Sequence, residues 1–130
     1  NVDLIMKKYN GKKITILGIT YKGNIDDIRE SPALKIIDKL KKNTNYQITL
    51  FDPYISDETI EPNFDFAITD SDLIIILADH DDFKNITEKD LSKMKQKIIF
   101  DTKNIVDLTL KDGEVYNLGN LYSIETNEDV

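Results

Sequence analysis

Short apolar runs recur along the chain, each bounded by polar or turn-forming residues. Runs of roughly four to eight residues rich in Ile, Leu and Val are typical of strands buried in a parallel sheet. Residues 72–78 contain five consecutive branched aliphatic side chains, which indicates a central strand covered on both faces. The predicted strands are residues 13–18 (KITILG), 46–53 (YQITLFDP), 72–78 (DLIIILA), 97–101 (KIIFD) and 115–119 (VYNLG).

Helical spacing occurs between these runs. Ser31 is a good N-cap and Pro32 suits a first helical turn, so a helix is predicted to begin there. Its apolar stripe is Ala33, Ile36, Ile37 and Leu40. Residues 2–9, and residues 86–95 with Thr87 as N-cap and Asp90 three residues on, are the other predicted helices. The polar residues 54–72 leave room for one short helix.

Alternating strands and helices predict an α/β fold: Rossmann-like and doubly wound, with a mainly parallel sheet of about five strands in a three-layer αβα sandwich. Such sheets bind ligands just outside the carboxyl ends of their strands, at the switch point of the strand order. The segments to consider are therefore residues 18–27, 52–53, 79–82 and 101–104.

Composition narrows the class of protein. The chain has 130 residues, 40% of them hydrophobic, which fits one domain with one core. It contains no Cys, so disulfides, thiolate metal sites and a cysteine nucleophile are excluded in this chain. No apolar run approaches the ~20 residues of a membrane span, and the N-terminus has no signal-peptide pattern. We expect a cytoplasmic protein with no membrane partner and no metal.

The net charge of −7 is unevenly distributed. Residues 1–42 hold ten Lys or Arg against five acids, whereas residues 43–83 hold ten acids and no Lys or Arg. Nucleic acid is an unsuitable partner because binding it needs a broad basic face. The basic first third still suits a compact anion, and the acidic stretch is typical of a solvated face.

Two phosphate-binding motifs fit only in part. Gly18-x-x-x-x-Gly23 resembles a P-loop, but Asn24 and Ile25 stand where Lys and Ser/Thr are needed. The dinucleotide fingerprint G-x-G-x-x-G fails because Thr20 replaces its second Gly. Asp52, at a strand end, suits either a ribose contact or a cap before Pro53. A receiver-type phospho-acceptor domain has the wrong spacing of acids.

One longer motif fits the junction of the first strand and the helix at Ser31. It places an aromatic ring and an ammonium at a strand's carboxyl end, near a helix N-terminus whose free N–H groups favour anions. A base can stack on the ring while the ammonium meets a phosphate. The motif reads Tyr21-Lys22-x-x-Ile25-Asp26-Asp27-x-Arg29-x-Ser31-Pro32.

This motif resembles the C-terminal domain of the UDP-glucose/GDP-mannose dehydrogenase family. The resemblance covers roughly residues 12–119. It includes residues 51–54 (FDPY), residues 80–83 (HDDF) and residues 100–104 (FDTKN), each after a strand. It implies an oxidoreductase that converts the C6 hydroxyl of a UDP-sugar to a carboxylate with two NAD and a cysteine nucleophile. In this family an N-terminal Rossmann domain binds NAD, a central region dimerises and carries the catalytic Cys, and the third domain binds UDP.

The resemblance also implies roles for individual residues. Tyr21, Lys22 and Lys103 would contact the UDP-sugar, and Arg29 would face the NAD side of the closed cleft. From the residues alone, Tyr21 also suits a core aromatic, Lys22 a solvated lysine, and Arg29 a surface pair with Asp26 or Glu30. Asp26 and Asp27 are interpreted as structural, capping loop N–H groups or holding Arg29. His80 is interpreted as a polar residue at a strand exit.

The resulting division of the chain has three parts. Residues 1–11 are expected to end a linker helix from a central domain outside this chain, residues 12–122 to form the UDP-binding domain, and residues 123–130 to fray. The chain alone should be inactive, with full-length homodimers expected. Residues 25, 80 and 103–104 resemble the branch of the family that acts on UDP-N-acetylmannosamine or UDP-N-acetylglucosamine more than the UDP-glucose branch, which implies one of these two sugars. A UDP-glucose 6-dehydrogenase domain and a stand-alone nucleotide-binding or regulatory module are the alternatives.

Overall fold

A computed structural model describes residues 1–121, and five parallel strands form its single sheet in the order β2-β1-β3-β4-β5. This is the strand order of a flavodoxin-like doubly wound fold, so the predicted fold class is confirmed. The strands are β1 (Lys13–Leu17), β2 (Gln47–Phe51), β3 (Leu73–Ile76), β4 (Lys97–Asp101) and β5 (Gly113–Asn117). The helices are α1 (Val2–Lys8), α2 (Pro32–Lys41), α3 (Phe64–Ile68) and α4 (Asp81–Lys84), with a 3₁₀ helix at Lys89–Leu91.

Two hydrophobic layers cover the two faces of the sheet. Helices α1 and α2 pack on one face, against Ile14 and Ile75. Helices α3 and α4 pack on the other, against Leu17 and Ile74. Every residue of β3 is buried, because this central strand sends alternate side chains into both layers. The predicted three-layer sandwich is therefore present.

Several element boundaries differ from the prediction. The helix predicted over residues 86–95 is wrong, since only the 3₁₀ turn Lys89–Leu91 forms there. Thr87 and Asp90 do cap each other, but the Lys93 carbonyl then accepts the Asp70 N–H and the chain turns into β4. Helix α4 was not predicted. Strand β5 begins two residues earlier than expected, and the expected frayed tail at residues 123–130 lies outside the described residues.

The remaining helices follow the sequence signals. Ser31 caps α2 through its side chain, and Pro32 occupies the first turn. Ile36 was assigned to the apolar stripe of α2, but it is exposed. The polar segment after β2 holds one short helix, α3, whose N-cap is Asn63. Within residues 1–121, no helix combines the length and the apolar character needed to cross a bilayer.

Candidate functional site

The loop between β1 and α2 runs past the carboxyl ends of β1 and β3, which is the switch point of this strand order. Gly18 begins the loop with φ of 91°, and a Cβ there would lie 2.5 Å from the Ala78 Cβ. A Cβ on Gly23 would lie 2.3 Å from the Asp79 carbonyl oxygen. Because no side chain fits at either place, both glycines allow the loops after β1 and β3 to pack in direct contact.

A buried carboxylate holds this loop from the end of β2. Asp52 Oδ2 accepts the Ile19 N–H at 2.8 Å, and Asp52 Oδ1 accepts the Tyr54 N–H at 2.9 Å. The second bond is the turn cap expected before Pro53. His80 Nε2 lies 3.0 Å from Asp52 Oδ2, and neither side chain is exposed to solvent. Asp52 therefore joins the loops that follow three neighbouring strands.

The hydrogen bonds of His80 define its tautomer. The backbone N–H of Asn24 donates to His80 Nδ1 at 2.8 Å, so Nδ1 carries a lone pair. Nε2 must then carry the proton, which it donates to Asp52. Both ring nitrogens are engaged within the protein, which leaves none for a metal ion. The His80 ring also lies 4.4 Å from the Tyr54 ring centroid, in a tilted stack.

Tyr21 and Lys22 lie on the outer side of this anchored loop. Tyr21 is half exposed, at 50%, so it is not a core aromatic. Its backbone N–H donates to the Asp27 carbonyl at 2.7 Å, which closes the loop on itself. The Tyr21 side chain lines an open depression of about 300 Å³ together with Asp27, Arg29 and Glu30. Lys22 is exposed beside it.

Arg29 pairs with Asp27 on the surface. Its Nε and Nη2 donate to the two Asp27 carboxylate oxygens at 3.0 and 3.1 Å, and its backbone N–H donates to Oδ1. These bonds lower the pKa of the Asp27 carboxyl. Asp27 therefore holds Arg29, as the structural interpretation expected, and the partner is neither Asp26 nor Glu30. The Arg29 side chain stays 87% exposed.

Lys103 belongs to a second loop at the same edge of the sheet. The buried Asp101 carboxylate accepts the backbone N–H groups of Lys103, Ile105 and Val106 at 2.7–3.1 Å. The Thr102 hydroxyl donates to the Ile76 carbonyl at 2.6 Å, which ties this loop to β3. Lys103 follows β4 and Lys22 follows β1. One strand, β3, lies between β1 and β4, so these two strands are about 10 Å apart across the sheet. Ligand contact by Tyr21, Lys22, Lys103 and Arg29 stays a prediction.

One expected source of anion binding is weaker than predicted. Pro32 has no N–H, the Ala33 N–H donates to the Ser31 hydroxyl, and the Leu34 N–H to the Ser31 carbonyl. The first turn of α2 is thus largely satisfied internally, which contradicts the expectation of free N–H groups there. Attraction for a phosphate at this loop must come mainly from lysine ammonium groups.

The residues present do not suit the pyrophosphate of a dinucleotide. Thr20 stands where the fingerprint needs a glycine, and it is 1% exposed. Its hydroxyl donates to the Lys22 carbonyl at 2.6 Å, so it is fixed inside the loop and keeps a ligand from the backbone. Among residues 1–121, no cluster of three or more His, Cys, Asp or Glu side chains has a metal-binding arrangement.

The support of this loop by buried side chains was not predicted from the sequence. His80 was interpreted as a residue at a strand exit, but it lies at the centre of the hydrogen-bond network with Thr20, Asn24 and Asp52. Two local signals point to this burial. The two-residue alternation of a strand continues past β3, so Ala78 and His80 share one side of the chain and Asp79 the other; in the structure Ala78 and His80 are buried and Asp79 is exposed.

The other signal is Asn24. Its φ of 62° is a left-handed conformation that Asn tolerates well. Its Oδ1 accepts the Asp81 N–H at 2.9 Å, so Asn24 links the first loop to α4 through its side chain as well as its backbone.

Three comparisons agree with this architecture. A UDP-N-acetyl-D-mannosamine dehydrogenase of Methanocaldococcus jannaschii is 45% identical over an alignment of 126 positions, which covers 91% of this chain and 29% of that protein. A UDP-glucose 6-dehydrogenase of Rickettsia bellii is 36% identical over an alignment of 130 positions, which covers 92% of this chain and 29% of that protein. The native structure of the UDP-N-acetyl-mannosamine dehydrogenase Cap5O from Staphylococcus aureus matches with a TM-score of 0.90 at 40% identity, over 95% of this chain and 30% of that one.

The chain thus spans less than a third of the length of each of these relatives. A family model for the UDP-glucose/GDP-mannose dehydrogenase family, UDP binding domain, matches residues 15–108. This range includes the anchored loop after β1, the Asp52–His80 pair and the Lys103 loop. The chain belongs to the UDP-glucose/GDP-mannose dehydrogenase family and corresponds to its UDP binding domain.

Proposed function

We propose that this chain is the UDP-sugar-binding domain of an NAD-dependent UDP-sugar 6-dehydrogenase. The observation that carries the proposal is the loop after β1, which presents an exposed aromatic ring and an exposed ammonium at the switch point of the sheet. Uracil stacks on the Tyr21 ring, and Lys22 meets the diphosphate. Lys103, on the loop after β4, supplies a second cation toward the same ligand.

The remaining functions belong to other domains of the longer polypeptide. NAD accepts the hydride in each of the two oxidations of the C6 carbon. The described residues form no dinucleotide fingerprint, so a separate domain holds NAD, with Arg29 facing it across the cleft. A central domain supplies the catalytic Cys, which this chain lacks, and forms a homodimer. The reaction takes place in the cytoplasm.

UDP-N-acetylmannosamine is the proposed substrate. Two sequence identities support this choice. The chain is 45% identical to a dehydrogenase named for this sugar and 36% identical to one named for UDP-glucose. Residue 103 is Lys, at a position where the family resemblance implies that Arg is common in the UDP-glucose branch. Lys lacks the planar fork with which Arg binds two oxygens at once, so this contact differs between the branches.

The test is an assay of the full-length polypeptide that contains this domain. With UDP-N-acetylmannosamine and NAD we expect two NADH for each sugar oxidised, faster than with UDP-N-acetylglucosamine or UDP-glucose. Preference for UDP-glucose would move the domain to the other branch of the family. Absence of NADH with all three sugars would overturn the proposed activity. The isolated chain serves as the control and should form no NADH, because it has no Cys.

A further inference from the structure

The loop that carries Tyr21 and Lys22 is held from inside the molecule at alternate residues. The Asn24 backbone N–H donates to His80 Nδ1 at 2.8 Å. The Thr20 hydroxyl donates to the Lys22 carbonyl at 2.6 Å and lies 3.3 Å from His80 Nε2. Backbone atoms of this loop are therefore fixed on both sides of Tyr21 and Lys22, while the two side chains remain exposed.

The His80 ring is held by contacts on its faces and at both of its nitrogens. His80 is completely buried, and its ring lies between Tyr54 and Phe83, at centroid distances of 4.4 and 5.3 Å. Its Nε2–H points at Asp52, which is equally buried and also holds the Ile19 N–H. Nδ1 accepts the Asn24 N–H, and Nε2–H faces both the Asp52 carboxylate at 3.0 Å and the Thr20 hydroxyl at 3.3 Å. Rotation of the ring would therefore leave buried polar atoms unpaired.

We propose that His80 is a positioning residue for UDP binding. It acts through the Asn24 backbone and through Thr20, and it keeps the loop in the one conformation that presents Tyr21 and Lys22 together. This inference rests on the proposed function. Preorganisation of a binding loop raises affinity because the loop need not be ordered when the ligand arrives.

Two substitutions distinguish the contributions of the two ring nitrogens of His80. In His80→Asn the amide oxygen reaches the place of Nδ1 and can accept the Asn24 N–H. In His80→Gln the amide nitrogen reaches the place of Nε2 and can donate to Asp52, but the Asn24 N–H loses its acceptor. Both variants leave a cavity where the ring was, so both should lose thermal stability.

The readouts are UDP affinity by calorimetry and amide hydrogen exchange of residues 20–24 by NMR. We expect His80→Gln to weaken UDP binding about tenfold, the effect of one lost hydrogen bond, and to speed exchange of the Asn24 amide. His80→Asn should weaken binding by about twofold or less and keep that amide protected. A wild-type ¹⁵N spectrum should show His80 protonated at Nε2 only.

Equal UDP affinity and equal Asn24 exchange in the two variants, with both destabilised, would overturn the proposal and leave His80 a purely structural residue. If the wild-type chain shows no response to UDP at Tyr21 and Lys22, the proposed function fails instead. The exchange data then decide alone whether His80 holds the loop. They support it if exchange is faster in His80→Gln and overturn it if the variants agree.

If His80→Gln does not fold, Thr20→Val is a second variant that tests how the loop is held. Val matches Thr in shape but cannot donate to the Lys22 carbonyl, and it leaves the bonds of His80 to Asp52 and Asn24 in place. We expect UDP affinity to fall several-fold with faster exchange at residues 21–23. Unchanged affinity and unchanged exchange would contradict the part of the positioning role that acts through Thr20.

Discussion

Buried carboxylates hold backbone N–H groups at the amino-terminal ends of the strands (the amino edge) and at their carboxyl-terminal ends (the carboxyl edge), with different consequences. At the amino edge, Asp72 accepts the backbone N–H groups of Lys12 and Lys13 at 2.8 and 3.0 Å and the Gln96 amide at 2.9 Å. At the carboxyl edge, Asp52 and Asp101 hold loop N–H groups in the same way. Each carboxylate is buried at a strand end, and each accepts hydrogen bonds from backbone N–H groups that water would otherwise accept.

What differs is the surface that the anchored backbone presents. The amino-edge anchor joins segments that are already close to the sheet, so its effect is on stability. The carboxyl-edge anchors hold longer loops that carry exposed Tyr21, Lys22 and Lys103. Binding residues on loops need a rigid base. We therefore expect changes at one edge to affect stability alone, and changes at the other to affect stability and UDP binding together.

The largest effect is expected from Asp52→Ala. The substitution removes the acceptor of the Ile19 N–H and His80 Nε2–H, which are buried, and of the Tyr54 N–H, which is partly buried. We expect a loss of about 3 kcal/mol in the free energy of unfolding, together with loss of UDP binding. Urea unfolding and calorimetry measure the two effects.

The matched control is Asp57→Ala, which removes an exposed carboxylate whose partner among residues 1–121 is Thr59 alone, in a local turn. It should change stability by less than about 0.5 kcal/mol and leave UDP affinity unchanged. Similar losses in the two variants would show that burial at the strand end is irrelevant to the anchor.

Asp72→Ala is expected to have the next largest effect, about 2 kcal/mol of stability, with UDP affinity unchanged. The loss is smaller because the Lys12 and Lys13 amides are only partly buried and water can replace the carboxylate there. Weakened UDP binding in a folded Asp72→Ala chain would break the division between the two edges.

The same residue contributes a pH dependence. Burial raises the pKa of the Asp72 carboxyl, but the N–H groups of Lys12 and Lys13 and the Gln96 amide outweigh it, and the net pKa lies below the usual 3.8. A lowered folded pKa means that this stability is fully present above pH 3.8 and is lost as the pH falls through the folded value. Melting temperatures should therefore fall below pH 3.8 more steeply in the wild type than in Asp72→Ala. Parallel curves would contradict the assignment.

Lys22→Gln should separate binding from stability at the carboxyl edge. Lys22 is exposed, so the melting temperature should not change, while UDP affinity should fall about tenfold through loss of a charged contact. Lys103→Gln should behave in the same way, to a smaller extent. Lys35→Gln, an equal charge change on an exposed position of α2, is the control and should bind UDP as the wild type does.

The smallest effect is expected from Arg29→Gln. The Arg29 side chain of the pair with Asp27 is largely exposed, and such surface pairs contribute little to stability. UDP affinity of this chain should stay unchanged, because Arg29 is proposed to face NAD. In the full-length enzyme the KM for NAD should rise. A fall in UDP affinity with an unchanged KM for NAD would move Arg29 into the UDP site.

Local patterns were sufficient to predict most of the fold. The branched aliphatic run of residues 73–77 defines the central strand because only a strand covered on both faces tolerates five such residues. Ser31 and Pro32 define the start of α2 by their own chemistry. The helix predicted over residues 86–95 failed because its capping pair is local, whereas the backbone bonds from residues 70–71 that end it come from elsewhere in the chain.

The grouping of Tyr21, Lys22 and Arg29 on one loop could be predicted, since they belong to one short motif, whereas their contact with a ligand stays a prediction. The support of this loop could not be predicted. His80 is 28 residues from Asp52 and 56 from Asn24. Hydrophobic periodicity is a local pattern, so it does not predict that the loops after three strands meet at these residues. An acidic stretch that looked like solvated surface therefore contains the two residues, Asp52 and His80, on which the loop depends.

The central claim is that the anchored carboxyl edge is the UDP-binding surface. Its most direct test is a titration of the ¹⁵N-labelled chain with UDP, followed by amide chemical shifts. We predict saturable shifts at Tyr21, Lys22 and Lys103, with little change at Lys12, Gln96 and the rest of the amino edge. Shifts confined to the amino edge, or none at the three named residues at saturating UDP, would contradict the account.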